Sequence, residues 1–225
     1  MFLDPNKPFN VFSNKGRLEQ CDNALVAALN GSLAVACASS DGAVIMSYKD
    51  LPKLANKKNY HKVFTVCPTI GVTYSGIQPD FRIQLDIAQR LCLDYFEVFG
   101  RYPTLETFVN EYSLRIQEYS QMGGSRPFGT YLLFIGSGQN INQVYRMDPS
   151  GSFNSCAVAA TGKSYENAIT FIERRQSELD DNIATCINAI KEYAGLKIEP
   201  EDISVGIYKN NEFRIYTYNE IEELF

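Results

Sequence analysis

Apolar positions recur along this chain at two different periods, and each change of period marks an element. Between Arg17 and Asn30, the residues Leu18, Cys21, Leu25 and Leu29 fall at spacings of three and four. That spacing predicts a helix, stopped by Asn30-Gly31. Ser32–Ala38 and Ala43–Tyr48 then read as strands around the hairpin turn Ser39-Ser40-Asp41-Gly42. After a connector, Lys49–Lys62, that carries five lysines, Lys62–Val66 and Ile70–Tyr74 predict a second hairpin turning at Cys67-Pro68-Thr69. A long helix is predicted over Asp80–Phe99, with Pro79 at its first position and Asp80 at the positive end of its dipole. Its apolar stripe is Phe81, Leu85, Ala88, Leu91, Cys92, Tyr95 and Phe99, and Gly100 ends it. Thr104 and Thr107 open another helix through Tyr119, whose face is Leu105, Phe108, Tyr112, either Leu114 or Arg115, Ile116 and Tyr119.

Three apolar runs follow, Thr130–Ile135, Gln143–Met147 and Phe153–Ala159, separated by Gly/Ser/Asn and Pro/Ser/Gly clusters short enough for hairpins. They predict an antiparallel meander that ends at Gly162. Helices are expected over Tyr165–Leu179 and Asp181–Ala194, then strands Ile203–Tyr208 and Phe213–Thr217, then a short helix Asn219–Leu224. Runs of strands alternating with helix pairs indicate an α+β fold, antiparallel sheets with helices packed outside them. No repeat or long linker divides the chain, so residues 16–225 are expected to form one domain behind an extended, proline-broken tail, 1–15.

Composition narrows the function. At 225 residues and 45% hydrophobic, the chain can bury a substantial core. A net charge of −5 argues against broad binding to nucleic acid or anionic membranes. No apolar run approaches the roughly 20 residues of a membrane span, and the start lacks the basic-then-apolar layout of a secretion signal. Six cysteines without a C-x-x-C pair, and one histidine, His61, predict free thiols in a reducing compartment and no metal site. Cytoplasm and nucleus are the expected locations, and no cofactor motif is present. Gly123-Gly124 and Gly136-Ser137-Gly138 read as turns, and Gly162-Lys163-Ser164 lacks the upstream glycine of a phosphate loop.

Several blocks carry a family resemblance. Phe12-Ser13-Asn14-Lys15-Gly16-Arg17-Leu18-Glu19-Gln20 stands near the start, and His61-Lys62-Val63 and Tyr74-Ser75-Gly76-x-x-Pro79-Asp80-Phe81-Arg82 lie further in. Arg126-Pro127-Phe128-Gly129, Asp148-Pro149-Ser150-Gly151 and Gly162-Lys163 complete the series. Together they resemble the α subunits of the proteasome core particle, and Glu118–Gly124 resembles their type-2 members. The sequence departs from the family pattern at Asn14, at Asp22-Asn23 and at Pro5-Asn6-Lys7.

The resemblance implies an αββα four-layer sandwich of the N-terminal-nucleophile hydrolase class. It implies a place in a hetero-heptameric α ring stacked on a ring of β subunits, and service to ubiquitin-dependent degradation. It makes Lys62 the lysine of a pocket on the outer ring face that meets the C-terminal carboxylate of a regulatory particle or other activator. Gly76 and Asp22 complete that pocket. The tail, with Phe9, Phe12 and Ser13, becomes a gate over the axial pore. Gly16, Arg17, Gln20, Arg126, Pro127, Phe128, Gly129, Asp148, Gly151 and Gly162 are read as structural, with Arg126 paired to a carboxylate and Phe128 in the core. The helix Arg17–Asn30 is expected to pack between neighbouring subunits.

Catalysis in this class needs an N-terminal nucleophile whose free α-amine is the base. No threonine precedes Thr65, and Ser32, after Gly31, is the one residue that cleavage could expose as a nucleophile. The reading is a non-catalytic subunit. A catalytic β-type subunit and a free-standing hydrolase-fold domain are the alternatives.

Overall fold

A computed structural model describes residues 11–52, 54–138, 141–194 and 197–225. Its elements run α1 (Glu19–Leu29), β1 (Ala34–Ala38), β2 (Ala43–Tyr48), β3 (Val63–Cys67), β4 (Ile70–Gly76), α2 (Gln78–Phe99) and α3 (Leu105–Gln121). Then come β5 (Thr130–Ser137), β6 (Asn142–Met147), β7 (Phe153–Cys156), β8 (Val158–Thr161), α4 (Tyr165–Glu173), α5 (Leu179–Tyr193), β9 (Ile203–Lys209), β10 (Glu212–Ile215) and α6 (Tyr218–Glu222). The strands form two five-stranded antiparallel sheets, ordered β10-β9-β2-β1-β8 and β3-β4-β5-β6-β7.

Three cores separate four layers. Ala34, Ala36, Ile45, Leu133 and Ile135 fill the space between the sheets, where small residues on β1 let the sheets approach. On the other face of β1 and β2, Val35, Cys37, Val44 and Met46 pack against Ile172, Ile183 and Ile187 of α4 and α5. Leu132 and Phe134 of β5 meet Phe81, Phe108 and Tyr112 of α2 and α3. This is the αββα sandwich. Because β1 is covered on both faces, its run Ala-Val-Ala-Cys-Ala is apolar at every position rather than alternating.

Where the structure departs from the sequence reading, packing explains the difference. The third apolar run is not one strand. It breaks at Ala157, so β7 closes the edge of one sheet by pairing with β6 while β8 pairs with β1 in the other. The helix expected over Tyr165–Leu179 ends at Glu173, because Asn182 of the next helix bonds both the amide and the carbonyl of Ser177 and fixes a loop there. On α2, Phe81, Ala88 and Cys92 are buried as expected, Leu85, Leu91 and Tyr95 are half-buried, and Phe99 is 59% exposed. Polar Asp80 and Gln84 take buried places instead. Pro79 occupies the second helical position, after Gln78. On α3, Thr104 caps the helix by accepting the Thr107 amide, Leu114 and Arg115 both lie outside the buried face, and Val109 and Ser113 join it.

Candidate functional site

The site begins at the C-terminal end of α1, which lies across β4 and β5 of its own chain. The expected leucine face is only half-buried, and the residues sealed against the sheet are Ala24 and Ala28. Small side chains let the helix backbone sit close: the Ser75 hydroxyl donates to the Ala28 carbonyl at 2.6 Å and shares a 3.0 Å hydrogen bond with Thr161. The leucines turn aside, and Leu25 and Leu29 line a cleft of about 200 Å³ with Tyr131, Arg146, Asp148 and Tyr165. The small-residue face of α1 is thus spent within the chain, and its half-buried leucines and exposed Val26 are the residues left for the expected contact with a neighbouring subunit.

Two motif glycines make this close approach possible. Gly76 has φ +104°, and a Cβ there would stand 2.2 Å from the Gly129 carbonyl oxygen and 2.9 Å from Ala28 Cα. Gly162, at φ +93°, would bring a Cβ to 2.5 Å from the Ser32 carbonyl oxygen. Both positions need a left-handed residue with no side chain. The Lys163 amide then bonds the Gly31 carbonyl at 3.0 Å, tying the strand after Ala157 to the start of β1.

Lys62 ends in this knot. Its amide donates to the Ser204 hydroxyl (3.2 Å) and its carbonyl accepts from Thr73 (2.6 Å), so the backbone is fixed on both sides. Lys62 is buried, 4% exposed in the single chain. Its ammonium hydrogen-bonds the Ser32 hydroxyl and stands 4.9 Å from the centre of the Tyr74 ring. Burial lowers its pKa to about 8, opposed only in part by the charge of Asp50. Tyr74 is held in turn by the Tyr60 hydroxyl at 3.2 Å.

Of the expected pocket residues, the fold brings Lys62 and Gly76 together through Gly31-Ser32: a Cβ on Gly31 would lie 2.1 Å from the Gly76 nitrogen. Asp22 is elsewhere. It sits in the first turn of α1, about 10 Å along the helix from Leu29, and pairs with Arg17 through two hydrogen bonds of 2.9 and 3.0 Å at the surface. Of the expected gate residues, Phe9 lies outside the described residues. Phe12 is 67% exposed. Ser13 and Gly16 form a turn closed by the Gly16 amide on the Ser13 carbonyl (2.8 Å), with Gly16 at φ +71°. Gln20 is half-buried on α1.

The remaining motif residues brace the frame. Arg126 forms a two-pronged pair with Asp80 at 2.6 and 2.9 Å, and the Gly129 amide adds a third bond to the same carboxylate at 2.9 Å. Burial pushes the Asp80 carboxyl upward, but the hydrogen bonds from Arg126 and Gly129 and the guanidinium charge outweigh it and hold the carboxyl below its usual value. Pro127 and Phe128 are buried, Phe128 against Tyr119 with ring centres 4.5 Å apart. Asp148 accepts from the Ser150 amide (2.8 Å) and hydroxyl (2.5 Å) to build the turn before β7. Gly151, at φ +87°, passes close to α3.

Sequence reasoning missed the role of Ser32 as the partner of Lys62. It weighed Ser32 as a nucleophile, and the hydroxyl is indeed directed at a lysine of lowered pKa. In the full chain its nitrogen is a peptide amide that follows Gly31, so the free amine that this chemistry uses would arise only on cleavage between Gly31 and Ser32. Among the described residues no cluster of three or more His, Cys, Asp or Glu could hold a metal, and no helix is long and apolar enough to cross a membrane.

A four-layer αββα sandwich whose first helix covers the end of the sheets, with a lysine and a serine facing each other beneath it, belongs to the N-terminal-nucleophile hydrolase class of folds. The family model described as "Proteasome subunit" matches residues 28–208, and the chain belongs to that family. The rice protein "Proteasome subunit alpha type-2" (Oryza sativa subsp. japonica) is 36% identical over 218 residues, covering 95% of this chain and 93% of its own length. The protein of that name from Trypanosoma brucei brucei is 34% identical over 217 residues, with 95% and 94% covered. A "Probable proteasome subunit alpha type-2" from Schizosaccharomyces pombe is 35% identical over 202 residues, with 88% and 82% covered.

Proposed function

We propose that this chain is a non-catalytic subunit of the α ring of the proteasome core particle. It scaffolds a seven-membered ring of related subunits on a β ring, and Lys62 receives the C-terminal carboxylate of an activator chain. In this role it serves ubiquitin-dependent protein degradation in the cytoplasm and nucleus, and its first residues help gate the pore. Similarity to alpha type-2 subunits over nearly the whole chain supports the ring assignment.

The observation that carries the docking role is the ammonium of Lys62. It has three donors, and among the described residues its one hydrogen-bond acceptor is the Ser32 hydroxyl. A buried ammonium with so few partners is costly, and an arriving carboxylate supplies the missing acceptors and charge. Gly76 adds nothing to this reading, because the space a Cβ would take there is filled by the chain's own Gly129 carbonyl and Ala28.

Lys62→Met tests this. The variant loses the charge and keeps the length, so activator peptides carrying a free C-terminal carboxylate bind the assembled particle at least tenfold more weakly, by competition. At neutral pH the chain itself becomes more stable, by about 1–3 kcal/mol, because an under-paired buried charge is gone. Unchanged peptide affinity would remove the docking role and leave the ring assignment standing. The wild-type interaction has a pH signature as well. Only the protonated lysine attracts a carboxylate, so affinity is flat below about pH 8 and falls by up to about tenfold per unit above it.

A further inference from the structure

The connector Lys49–Lys62 between β2 and β3 carries five lysines and a single acidic residue, in a chain of net charge −5. The docking role uses only Lys62. Lys49 and Lys58 line a different feature, a narrow cleft of about 30 Å³ shared with His61, Ser204, Tyr216 and Tyr218. Its walls come from the end of β2, the connector, the start of β9, the end of β10 and α6. Backbone bonds fix them: the Lys49 amide donates to the Asp202 carbonyl at 2.7 Å, and the Tyr216 amide to the Val205 carbonyl at 2.9 Å.

Lys49 is buried, 5% exposed. Among the described residues its ammonium has one hydrogen-bond acceptor, the Lys57 carbonyl at 3.0 Å, so two of its three N–H groups are unspent. The acids that act on it are Asp202 and Glu201, and burial outweighs them, so its pKa is lowered. Asp202 is already committed: one oxygen accepts from the Lys57 ammonium and the other from the Glu199 amide at 3.0 Å. Further donors surround the same cleft. The Ser204 hydroxyl accepts the Lys62 amide at 3.2 Å, which leaves its own proton to give. The exposed Lys58 reaches across to α6, with its ammonium 4.0 Å from the centre of the Tyr218 ring, and His61 is exposed at the rim.

We propose that this cleft binds a phosphate group, with Lys49 as the buried anchor, Ser204 as a hydrogen-bond donor, and Lys58 and His61 as contacts at the rim. Size limits what enters. One water-sized sphere takes about 10–15 Å³ of such space, so the cleft admits two or three oxygen atoms while the body of the ligand stays outside, against Tyr216 and Tyr218. Charge selects among small anions. A phosphate monoester presents three oxygens and close to two negative charges, which suits two ammonium groups, an imidazole and a hydroxyl better than the two oxygens and single charge of a carboxylate. Lys62 does not line the cleft, so the site stands apart from the docking role proposed for that residue.

The full chain, labelled with nitrogen-15, is titrated with inorganic phosphate at constant ionic strength and followed by NMR at the amides of Lys49, His61 and Tyr216. Saturable shifts are expected there, with half-saturation at about 1 mM or below. Lys49→Met weakens binding at least tenfold. Lys58→Ala, a change at the exposed rim that the fold tolerates, weakens it about two- to fivefold and keeps the test open if Lys49→Met does not fold. Lys209→Ala, exposed and outside the cleft, and Lys62→Met both leave it unchanged, so the docking role and this site can fail separately. A phosphoserine peptide that saturates the same amides at lower concentration than inorganic phosphate marks a phosphorylated protein as the source, and equal affinity marks a small phosphate ligand. The proposal is overturned if acetate shifts the same amides equally well, if phosphate shifts exposed lysines over the whole surface without saturation, or if Lys58→Ala binds as tightly as the wild type.

Discussion

Single side chains in this protein divide into those that hold the frame and those held by it under strain of charge. Asp80 is of the first kind. At the third position of α2 it favours the helix dipole, and it also accepts from Arg126 and from Gly129, so one carboxylate joins a helix to the start of β5. Asp80→Asn keeps the shape but loses the charge and weakens these bonds. It should cost about 1–3 kcal/mol at neutral pH, by denaturant unfolding. The pH dependence has a definite sign. The carboxyl is held below its usual value in the folded chain, so its contribution is complete above the ordinary carboxylate range and is lost as pH falls through the folded value. The wild type and the variant should therefore converge in stability in acid. Lys62 is of the second kind: it is buried beside Ser32, and folding disfavours its charge. The pairing of Arg126 with a carboxylate was legible in the motif, but not which carboxylate, because Asp80 is far away in sequence and only the packing of α2 on β5 brings them together.

At the scale of elements, the periodicity found nearly every helix and strand, and local chemistry set many ends. β2 matches its expected bounds, Gly100 ends α2 in the left-handed conformation, and Thr104 caps α3. The failures share one cause: the pattern of apolar residues says that a segment is covered, not by what. Phe153–Ala159 is apolar enough to read as one strand, yet Ala157 is where the chain leaves one sheet for the other. In α1 the leucines read as the buried stripe, but the sheet beneath is reached by Ala24 and Ala28. That close contact yields a test. Ala28→Leu would overpack the space next to Gly76 and Ser75, and it should lower stability by about 1–3 kcal/mol. Val26→Leu, on the exposed side of the same helix, should leave stability unchanged within about 0.5 kcal/mol. Equal thermal midpoints for the two variants would mean that α1 does not sit where the structure puts it.

At the scale of the whole molecule, the two sheets, their helix pairs and α1 form the body on which the proposed role of a holder rather than a hydrolase rests. Ser32 is near a lysine of lowered pKa but lies within the chain, and α1 packs over the same end. In the proposed role, catalysis belongs to other subunits of an assembled particle. Native size-exclusion should show the chain in a complex many times its own 25.3 kDa. Removing residues 1–8 should raise basal peptide hydrolysis by that complex, and an unchanged rate would mean that other tails close the pore alone.

The sequence by itself determined the alternation of helix pairs and strand runs, the turn glycines and the family. These depend on local conformational preference and on burial periodicity, both of which are written in neighbouring residues. Only the tertiary structure decided which surfaces meet: that Lys62 points inward to Ser32, that Asp22 stays with Arg17 at the far end of α1, and that Arg126 reaches Asp80 across forty-six positions of chain. Such contacts form when distant segments are stacked in layers, and no spacing along the chain encodes the distance between two layers.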